Sequence, residues 1–185
     1  MASDTLPQIA ERSPLVEGAY RMAHDAHHGP RRTGDTTIDH PLAVAELLSG
    51  IGCDDRVVAA ALLHDVVEDT ATDPVEIEDR FGPEVARLVT AMTENQEIEP
   101  YAARKAEHRR RITGDRNVAA IYAADKLAGA RDMLDHPDSV PDARLHHYLA
   151  TLTLLSRTHP DLPFLGDLRR ELERIRAARD GGFDG

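Results

Sequence analysis

The apolar segment Val57–Leu63 leads directly into a group of polar, mostly acidic residues, and this junction constrains the fold more than any other feature of the chain. The polar residues that follow within six positions are His64, Asp65, Glu68 and Asp69. Burying such a group without a purpose would be costly. Residues four positions apart share one face of a helix, so an imidazole and several carboxylates lie together. The sequence therefore predicts a helix face that can form half of a metal site.

The rest of the chain shows helical rather than alternating spacing of its apolar residues, and Ala, Leu, Arg and Glu dominate. Pro, Gly and Asp punctuate these segments, and no stretch is typical of strands. The predicted helices, with ends accurate to about 2 to 4 residues, cover residues 7–28, 41–50, 54–67, 74–80, 84–93, 101–113, 116–134, 141–157 and 162–179. We expect an all-α fold: one compact bundle, a single domain over residues 1–180 with a flexible tail over 181–185.

Charge and cysteine content limit the partners of the chain. Its 185 residues carry 22 Lys and Arg against 33 Asp and Glu, a formal net charge of −11, which disfavours a general binder of nucleic acid or of an anionic membrane. Cys53 is the only cysteine, and the N-terminus lacks the order of a signal peptide, so a cytoplasmic protein is the simplest interpretation. The longest apolar run has seven residues, far short of the ~20 that cross a bilayer. Local basic clusters still permit a small polyanionic ligand.

Two further residues complete a candidate metal site. His40 lies 24 positions before His64, just ahead of a proline at the start of a predicted helix. Asp125 lies 60 positions after Asp65, within another predicted helix. Three helices of a bundle can bring four such side chains together. Each residue alone has an ordinary alternative, since His40 could cap a helix and Asp125 could lie on a solvated face. Two imidazoles and two carboxylates suit Mn, Fe, Co or Zn better than Ca or Mg.

The order of these residues resembles that of the HD phosphohydrolases, in which a His, a His-Asp pair and a later Asp follow one another. More narrowly, residues 60–70, Ala-Ala-Leu-Leu-His-Asp-Val-Val-Glu-Asp-Thr, resemble the hydrolase domain of the RelA/SpoT family, as do Ile-Asp-His-Pro at 38–41 and Ala-Asp-Lys-Leu at 124–127. The similarity covers roughly residues 20–148. It implies an HD-domain bundle with one Mn2+ ion, or another divalent transition metal, held by His40, His64, Asp65 and Asp125.

The same resemblance implies the reaction. It indicates hydrolysis of guanosine tetra- or pentaphosphate to GDP or GTP and pyrophosphate, by a single-domain alarmone hydrolase of the stringent response. Glu68 and Asp69 lie one turn beyond the proposed ligands, where a carboxylate can orient or deprotonate water and pass a proton to the leaving 3′ oxygen. Glu68 is the first candidate for this role and Asp69 the second. A solvated helix end is the alternative for both.

Substrate contacts are expected from cationic and aromatic side chains. The residues that match the family's pattern are Arg32, with Arg31 as a second candidate, Lys105, Lys126, Arg131 and Tyr148. Exposure to solvent without a role is the alternative for Arg31, Arg32, Lys105 and Tyr148. For Lys126 and Arg131 the alternative is that they only offset the charge of the acidic cluster. The histidines that have no partner in a readable spacing, and that we expect at the surface, are His24, His108, His136 and His159.

The chain departs from the family's pattern in the part that binds the nucleotide. The family usually has Asn four residues after the last metal-binding Asp, but this chain has Gly129, which offers no side chain for a hydrogen bond. Thr36 and Thr37 replace a usual Pro-Tyr, and Pro30 stands where Gln is common. A phosphatase acting on another nucleotide or phosphoester, such as the 2′-phosphate of NADPH, is therefore the first alternative. A nucleotide-binding sensor is the second.

Overall fold

The computed structural model describes residues 6–28 and 37–181, and the regular elements in these ranges are all helical. The predicted all-α class is therefore confirmed. The α-helices are α1 (Pro14–His28), α2 (Asp39–Gly50), α3 (Asp55–Leu63), α4 (Val66–Asp69), α5 (Pro74–Phe81), α6 (Pro83–Met92), α7 (Tyr101–Ile112), α8 (Arg116–Met133), α9 (Asp142–Thr158) and α10 (Leu165–Gly181). Within the described ranges, no helix combines the length and the apolar character needed to cross a bilayer.

Several helices begin where the sequence places a capping residue. The Asp73 side chain accepts a hydrogen bond of 2.9 Å from the N–H of Val75, and a proline occupies the first turn of α5. Asp115 caps α8 in the same way, accepting from two backbone N–H groups at 2.7 and 3.1 Å. Gly82 separates α5 from α6 with a φ of 84°, a left-handed conformation that glycine adopts without steric cost. These signals explain why most predicted helix ends are close to the observed ones.

Two predicted helices are divided in the structure. The helix expected over residues 7–28 consists of a short 3-10 turn, Gln8–Arg12, followed by α1, because the Ser13 hydroxyl and carbonyl start a new helix there. The helix expected over residues 54–67 ends at Leu63, and α4 follows after two residues. At the C-terminus α10 extends through Gly181, and residues 182–185 of the predicted tail lie outside the described residues.

The chain folds as two compact units, residues 1–93 and 94–185. In the first unit α3 is the central helix, because α1, α2 and α6 all pack against it and its residues 57–63 are all buried. A helix that is apolar on every side is expected at such a position. The C-terminal end of α3 therefore delivers His64 into a buried environment.

In the second unit α8 has the same central role. Residues 118–130 of α8 are all buried, and α7, α9 and α10 pack against this helix. Two charged residues, Asp125 and Lys126, lie within this buried stretch and are only 8% and 9% exposed. Buried charges need partners or a function, so this part of α8 is the second place where chemistry is expected.

Candidate functional site

The predicted continuous helix over residues 54–67 is wrong, because the structure breaks it between α3 and α4, at His64 and Asp65. His64 Nδ1 lies 2.7 Å from the carbonyl oxygen of Ala61. In an uninterrupted helix that carbonyl would accept from the backbone N–H of Asp65. The imidazole takes this acceptor, and regular helix geometry resumes only at Val66. A local contact between a side chain and the backbone thus turns the His-Asp pair out of the helix.

The contact with Ala61 also orients the second nitrogen of His64. Because a carbonyl can only accept, Nδ1 carries the proton, and in the neutral ring Nε2 keeps its lone pair. Nε2 is buried, lies 3.1 Å from Asp65 Oδ1, and forms no hydrogen bond with any described residue. Two lone pairs facing each other at this distance repel unless a cation lies against both. The pair is therefore suited to a metal ion.

His40 supplies a third donor. It lies in the first turn of α2, and its ring centroid is 5.7 Å from that of His64. One ligand atom from each of His40, His64 and Asp65 lies within 4.8 Å of the others. Two imidazole nitrogens and one carboxylate oxygen form a donor set that fits a divalent transition metal. Just before His40, the Thr37 hydroxyl donates a hydrogen bond of 2.8 Å to Asp39. Thr37 is one of the residues that depart from the family's pattern, and this hydrogen bond orders the start of α2.

Glu68 and Asp69 lie on α4, immediately after the proposed ligands. The backbone N–H of Asp69 donates to the carbonyl of Asp65 at 2.9 Å, so these two residues are one turn apart as predicted. Thr70 is buried, and its hydroxyl donates to the carbonyl of Val66 at 2.6 Å, which closes α4. Thr70 thereby closes the helix that carries two half-buried carboxylates beside the proposed ligands, and the Glu-Asp-Thr sequence gains a structural explanation.

Asp125 lies on α8 in the second unit. Its Oδ2 accepts a hydrogen bond of 2.7 Å from Lys126 Nζ, and this ammonium group also lies 4.6 Å from the ring centroid of Tyr122 and 5.2 Å from that of Tyr148. Burial lowers the pKa of Lys126, but the adjacent Asp125 carboxylate and the two tyrosines outweigh burial and raise this pKa well above its usual value. Lys126 therefore stays cationic. The role of Asp125 as a fourth ligand stays a prediction.

Tyr148 is buried against α8, and Gly129 makes its position possible. A Cβ atom at residue 129 would lie less than 3.0 Å from the Tyr148 hydroxyl, closer than such atoms approach. Arg144 lies one turn before Tyr148 on α9, and its guanidinium carbon is 5.9 Å from the ring centroid of Tyr148. Arg144 was not among the residues predicted from sequence, although its spacing of four from Tyr148 is a signal that could have identified it.

The other predicted substrate-binding residues have different surroundings. Lys105 forms an ion pair with the half-buried Glu94, and Arg104 binds the same carboxylate at 3.2 Å. Burial raises the pKa of Glu94, but the interactions of its carboxylate with His108 and Lys105 outweigh burial. The pKa of Glu94 therefore lies well below its usual range. Arg131 is exposed in the last turn of α8. Arg31 and Arg32 lie outside the described residues.

Two histidines form a buried polar network that sequence reasoning missed. His108 is only 2% exposed, so the expected surface position is wrong for this residue, whose ring packs edge-on against Tyr122 at 5.1 Å. His147 accepts from Arg109 at Nδ1 over 2.7 Å and donates from Nε2 to the Tyr122 hydroxyl over 3.2 Å. Burial, followed by the charges of nearby Lys and Arg residues, lowers the pKa of His147 to about 2. This neutral histidine positions Tyr122, whose ring contacts the ammonium group of Lys126.

Comparison with known proteins gives a consistent result. A family model described as an HD domain matches residues 19–152. The chain is 37% identical, over 132 residues, to a guanosine-3′,5′-bis(diphosphate) 3′-pyrophosphohydrolase of Aquifex aeolicus, an alignment that covers 69% of this chain and 18% of the relative. It is 39% identical over 124 residues to a probable GTP pyrophosphokinase of Mycobacterium leprae, covering 64% of this chain and 16% of that one. The chain thus spans less than a fifth of the length of these curated relatives.

Two solved structures are similar to the fold. One is the structure of a metazoan ortholog of SpoT that hydrolyses ppGpp and plays a role in starvation responses; it has a TM-score of 0.71 and 27% identity, and the match covers 95% of this chain and 98% of that one. The other comes from Listeria monocytogenes, with a TM-score of 0.67 and 29% identity, and the match covers 77% of this chain and 99% of that one.

Proposed function

The chain belongs to the HD domain family, whose model matches residues 19–152, and on that premise we propose that it is a metal-dependent phosphohydrolase. Its proposed substrate is guanosine 3′,5′-bis(diphosphate), from which it releases pyrophosphate at the 3′ position. The name of the Aquifex relative and the ppGpp hydrolysis by the metazoan SpoT ortholog support this substrate. The observation that carries the assignment is the convergence of His40, His64 and Asp65, with the buried Nε2 of His64 lacking a hydrogen-bond partner among the described residues.

The proposed ligand set is His40, His64, Asp65 and Asp125, and the proposed ion is Mn2+, with another divalent transition metal as the alternative. Two nitrogen and two oxygen ligands favour such an ion over Mg or Ca. When bound, the ion would polarise a phosphoryl group and lower the pKa of water. Because an ion that takes six ligands would keep two positions open beside four protein ligands, the set is compatible with catalysis rather than structure alone.

The protein's own carboxylates perform the proton transfers. In the proposed reaction Glu68 takes a proton from the attacking water as its oxygen bonds to the phosphorus attached to the 3′ oxygen. The bond between that phosphorus and the 3′ oxygen breaks, and the 3′ oxygen receives a proton, which leaves GDP and pyrophosphate. Asp69 is the second candidate for either transfer. Thr70 positions both carboxylates by closing α4.

Cationic and aromatic groups are proposed to bind the two diphosphates and the base. The assigned residues are Arg32, Lys105, Lys126, Arg131 and Tyr148, to which the structure adds Arg144 through its contact with Tyr148. Lys126 and Arg144 supply positive charge 5.2 and 5.9 Å from the ring centroid of Tyr148. Lys105 is already paired with Glu94, so its contribution to substrate binding requires that this pair open or share its charge.

The first alternative keeps the chemistry and changes the substrate. Gly129 lacks the side chain that the resemblance leads one to expect, which favours a phosphatase acting on another nucleotide or phosphoester, such as the 2′-phosphate of NADPH. A nucleotide-binding sensor is less well supported, because a sensor needs no carboxylates beside its ligands.

We retain a single domain over residues 1–180 and a cytoplasmic location as parts of the proposal. The family match crosses residue 93, which supports the former.

A substrate panel tests this assignment. Purified protein with Mn2+ is incubated separately with guanosine 3′,5′-bis(diphosphate), NADPH and simple phosphomonoesters, and phosphate and pyrophosphate are quantified. We expect pyrophosphate and GDP from the first substrate and no products from the His64→Ala variant. Turnover of another compound without turnover of guanosine 3′,5′-bis(diphosphate) would move the assignment to the first alternative. Inactivity on every compound, with tight nucleotide binding, would establish the sensor.

A further inference from the structure

Gly129 is a helical glycine in the buried stretch of α8, where an ordinary side chain has no room. A Cβ atom built there would lie under 3.0 Å from the Tyr148 hydroxyl oxygen and 3.4 Å from the ring carbon that bears it. The conflict is therefore with the oxygen atom, since 3.4 Å is an ordinary van der Waals separation. The absence of a side chain at residue 129 lets a hydroxyl from α9 approach the backbone of α8.

The ring of Tyr148 is held in this position from several directions. Tyr148 is only 4% exposed. Lys126 Nζ lies 5.2 Å from its ring centroid, and the His147 ring packs edge-on at 5.8 Å. The guanidinium carbon of Arg144, which lies on α9 as Tyr148 does, is 5.9 Å from the ring centroid. Because these groups surround the ring, a side chain at residue 129 would displace the hydroxyl only by disturbing its packing.

The contacts of the Tyr148 hydroxyl define what it can do. The cationic groups near it, Lys126 and Arg144, have donors and no acceptor, so neither can accept a hydrogen bond from the tyrosine hydroxyl. Its own O–H is then left to donate. Residue 129 follows Asp125 by four positions, so the hydroxyl approaches the face of α8 that carries Asp125, one helical turn away. A donor at this place can reach an oxygen of a phosphorylated ligand bound near Asp125.

We propose that Gly129 is a positioning residue that sets substrate specificity through Tyr148: the tyrosine hydroxyl occupies the space of a side chain at residue 129 and donates a hydrogen bond to a phosphate oxygen of the nucleotide. This inference rests on the proposed function. It explains how the chain can lack a polar side chain at residue 129 and still bind a phosphorylated nucleotide, because the hydrogen-bonding group comes from α9 instead of α8.

A thermal-unfolding cycle tests the geometry without reference to activity. We compare the wild type, Gly129→Ala, Tyr148→Phe and the double variant. Gly129→Ala should lower the melting temperature by about 2 °C or more, because the new methyl group overlaps the hydroxyl. In the Tyr148→Phe background the same change should raise it by about 2 to 4 °C, because alanine favours a helix more than glycine does. A change of the same sign and size in both backgrounds overturns the close approach.

The same four proteins test the specificity role through kinetics. Gly129→Ala and Tyr148→Phe should each raise KM about tenfold with kcat nearly unchanged, since each removes one hydrogen bond to a charged group. The double variant should show no further increase, because the two changes remove the same contact. An increase of about a hundredfold in the KM of the double variant would mean that the two changes act independently. A return of its KM to the wild-type value would mean that Gly129→Ala causes only a structural conflict. Either result overturns the inference.

A matched control and the choice of substrate separate this inference from the proposed function. Gly166→Ala changes an exposed helical glycine whose Cβ would meet only the end of Arg170, at 3.9 Å, and should leave KM unchanged. If the wild type hydrolyses a different phosphorylated nucleotide, the proposed substrate fails, and the kinetic cycle is measured on that nucleotide. If it hydrolyses none, the donor role and the proposed function fail together, while the thermal cycle still decides the geometry.

Discussion

The position of single atoms decides the chemistry of the candidate metal centre. The Nδ1 atom of His64 is fixed by the carbonyl of Ala61, so Nε2 faces Asp65 Oδ1. The order of a His, a His-Asp pair and a later Asp predicted that His40, His64 and Asp65 lie together, and one ligand atom from each does lie within 4.8 Å of the others. It did not predict which nitrogen is available, since that depends on a contact made only once the helix breaks.

The predicted fourth ligand can be tested by metal content. Asp125→Ala and Asp125→Asn should both lose the ion and abolish turnover, because three remaining ligands hold it poorly. Asn preserves a partner for Lys126, whereas Ala leaves that ammonium buried and unpaired, so the Asn variant guards against loss of folding. Elemental analysis of the purified proteins gives the occupancy, and the exposed Asp135→Ala serves as control. Full occupancy in the Asn variant would remove Asp125 from the ligand set.

Glu68 can be separated from the ligands by a conservative change. Glu68→Gln should retain the metal and lower kcat by about 100-fold or more, because an amide cannot accept the proton from water. The exposed Glu76→Gln on α5 is the matched control and should leave kcat unchanged. The measurement is pyrophosphate release under saturating substrate together with metal content. A normal kcat in Glu68→Gln would transfer the role to Asp69 or to neither.

At the scale of helices, capping residues made most of the fold predictable. Asp73 and Asp115 cap α5 and α8 as their positions in the sequence indicate. The division of the predicted helix 54–67 was not predictable from periodicity, because apolar residues continue through Val66 and Val67. The burial of His108 and His147 was likewise missed, since their partners lie on other helices and are distant in sequence.

The buried His147 that joins α8 and α9 gives a pH dependence of stability. Its pKa is lowered to about 2 in the folded state, chiefly by burial, from an ordinary value of 6.5. The unfolded chain therefore binds a proton more readily, and stability is complete above pH 6.5 and falls as the pH decreases. When the pH is lowered from about 7 to about 5, protonation of this histidine in the unfolded chain should reduce the free energy of unfolding by about 2 kcal/mol.

Denaturant unfolding at about pH 7 and pH 5 isolates this contribution. His147→Gln keeps an acceptor for Arg109 and a donor for Tyr122 but cannot be protonated in this range. On acidification, the free energy of unfolding should decrease by about 2 kcal/mol less in this variant than in the wild type. His146→Gln, an exposed neighbour, should behave like the wild type. Equal losses in the wild type and His147→Gln would show that His147 does not carry the dependence.

At the scale of the whole chain, an acidic protein concentrates its proposed cationic groups for the substrate, apart from Arg32, in one unit. The net charge is −11, yet Lys105, Lys126, Arg131 and Arg144 all lie in residues 94–185. The proposed metal-binding residues were predictable because their types occur in a recognisable order, although they are far apart in sequence. The proposed nucleotide-binding residues were less predictable, because the close approach of Tyr148 to Gly129 and the ion pair of Lys105 with Glu94 follow no pattern in the sequence.

The dependence of turnover on metal tests the central claim most directly. Protein stripped with a chelator is incubated with guanosine 3′,5′-bis(diphosphate) while Mn2+ is added in steps, and the rate of pyrophosphate release is measured. We expect no release from the stripped protein, a rate that reaches its maximum at about one bound ion per chain, and no recovery in His64→Ala. Release at an undiminished rate from the stripped protein, or full recovery in His64→Ala, would contradict a reaction that depends on a metal held by His40, His64 and Asp65.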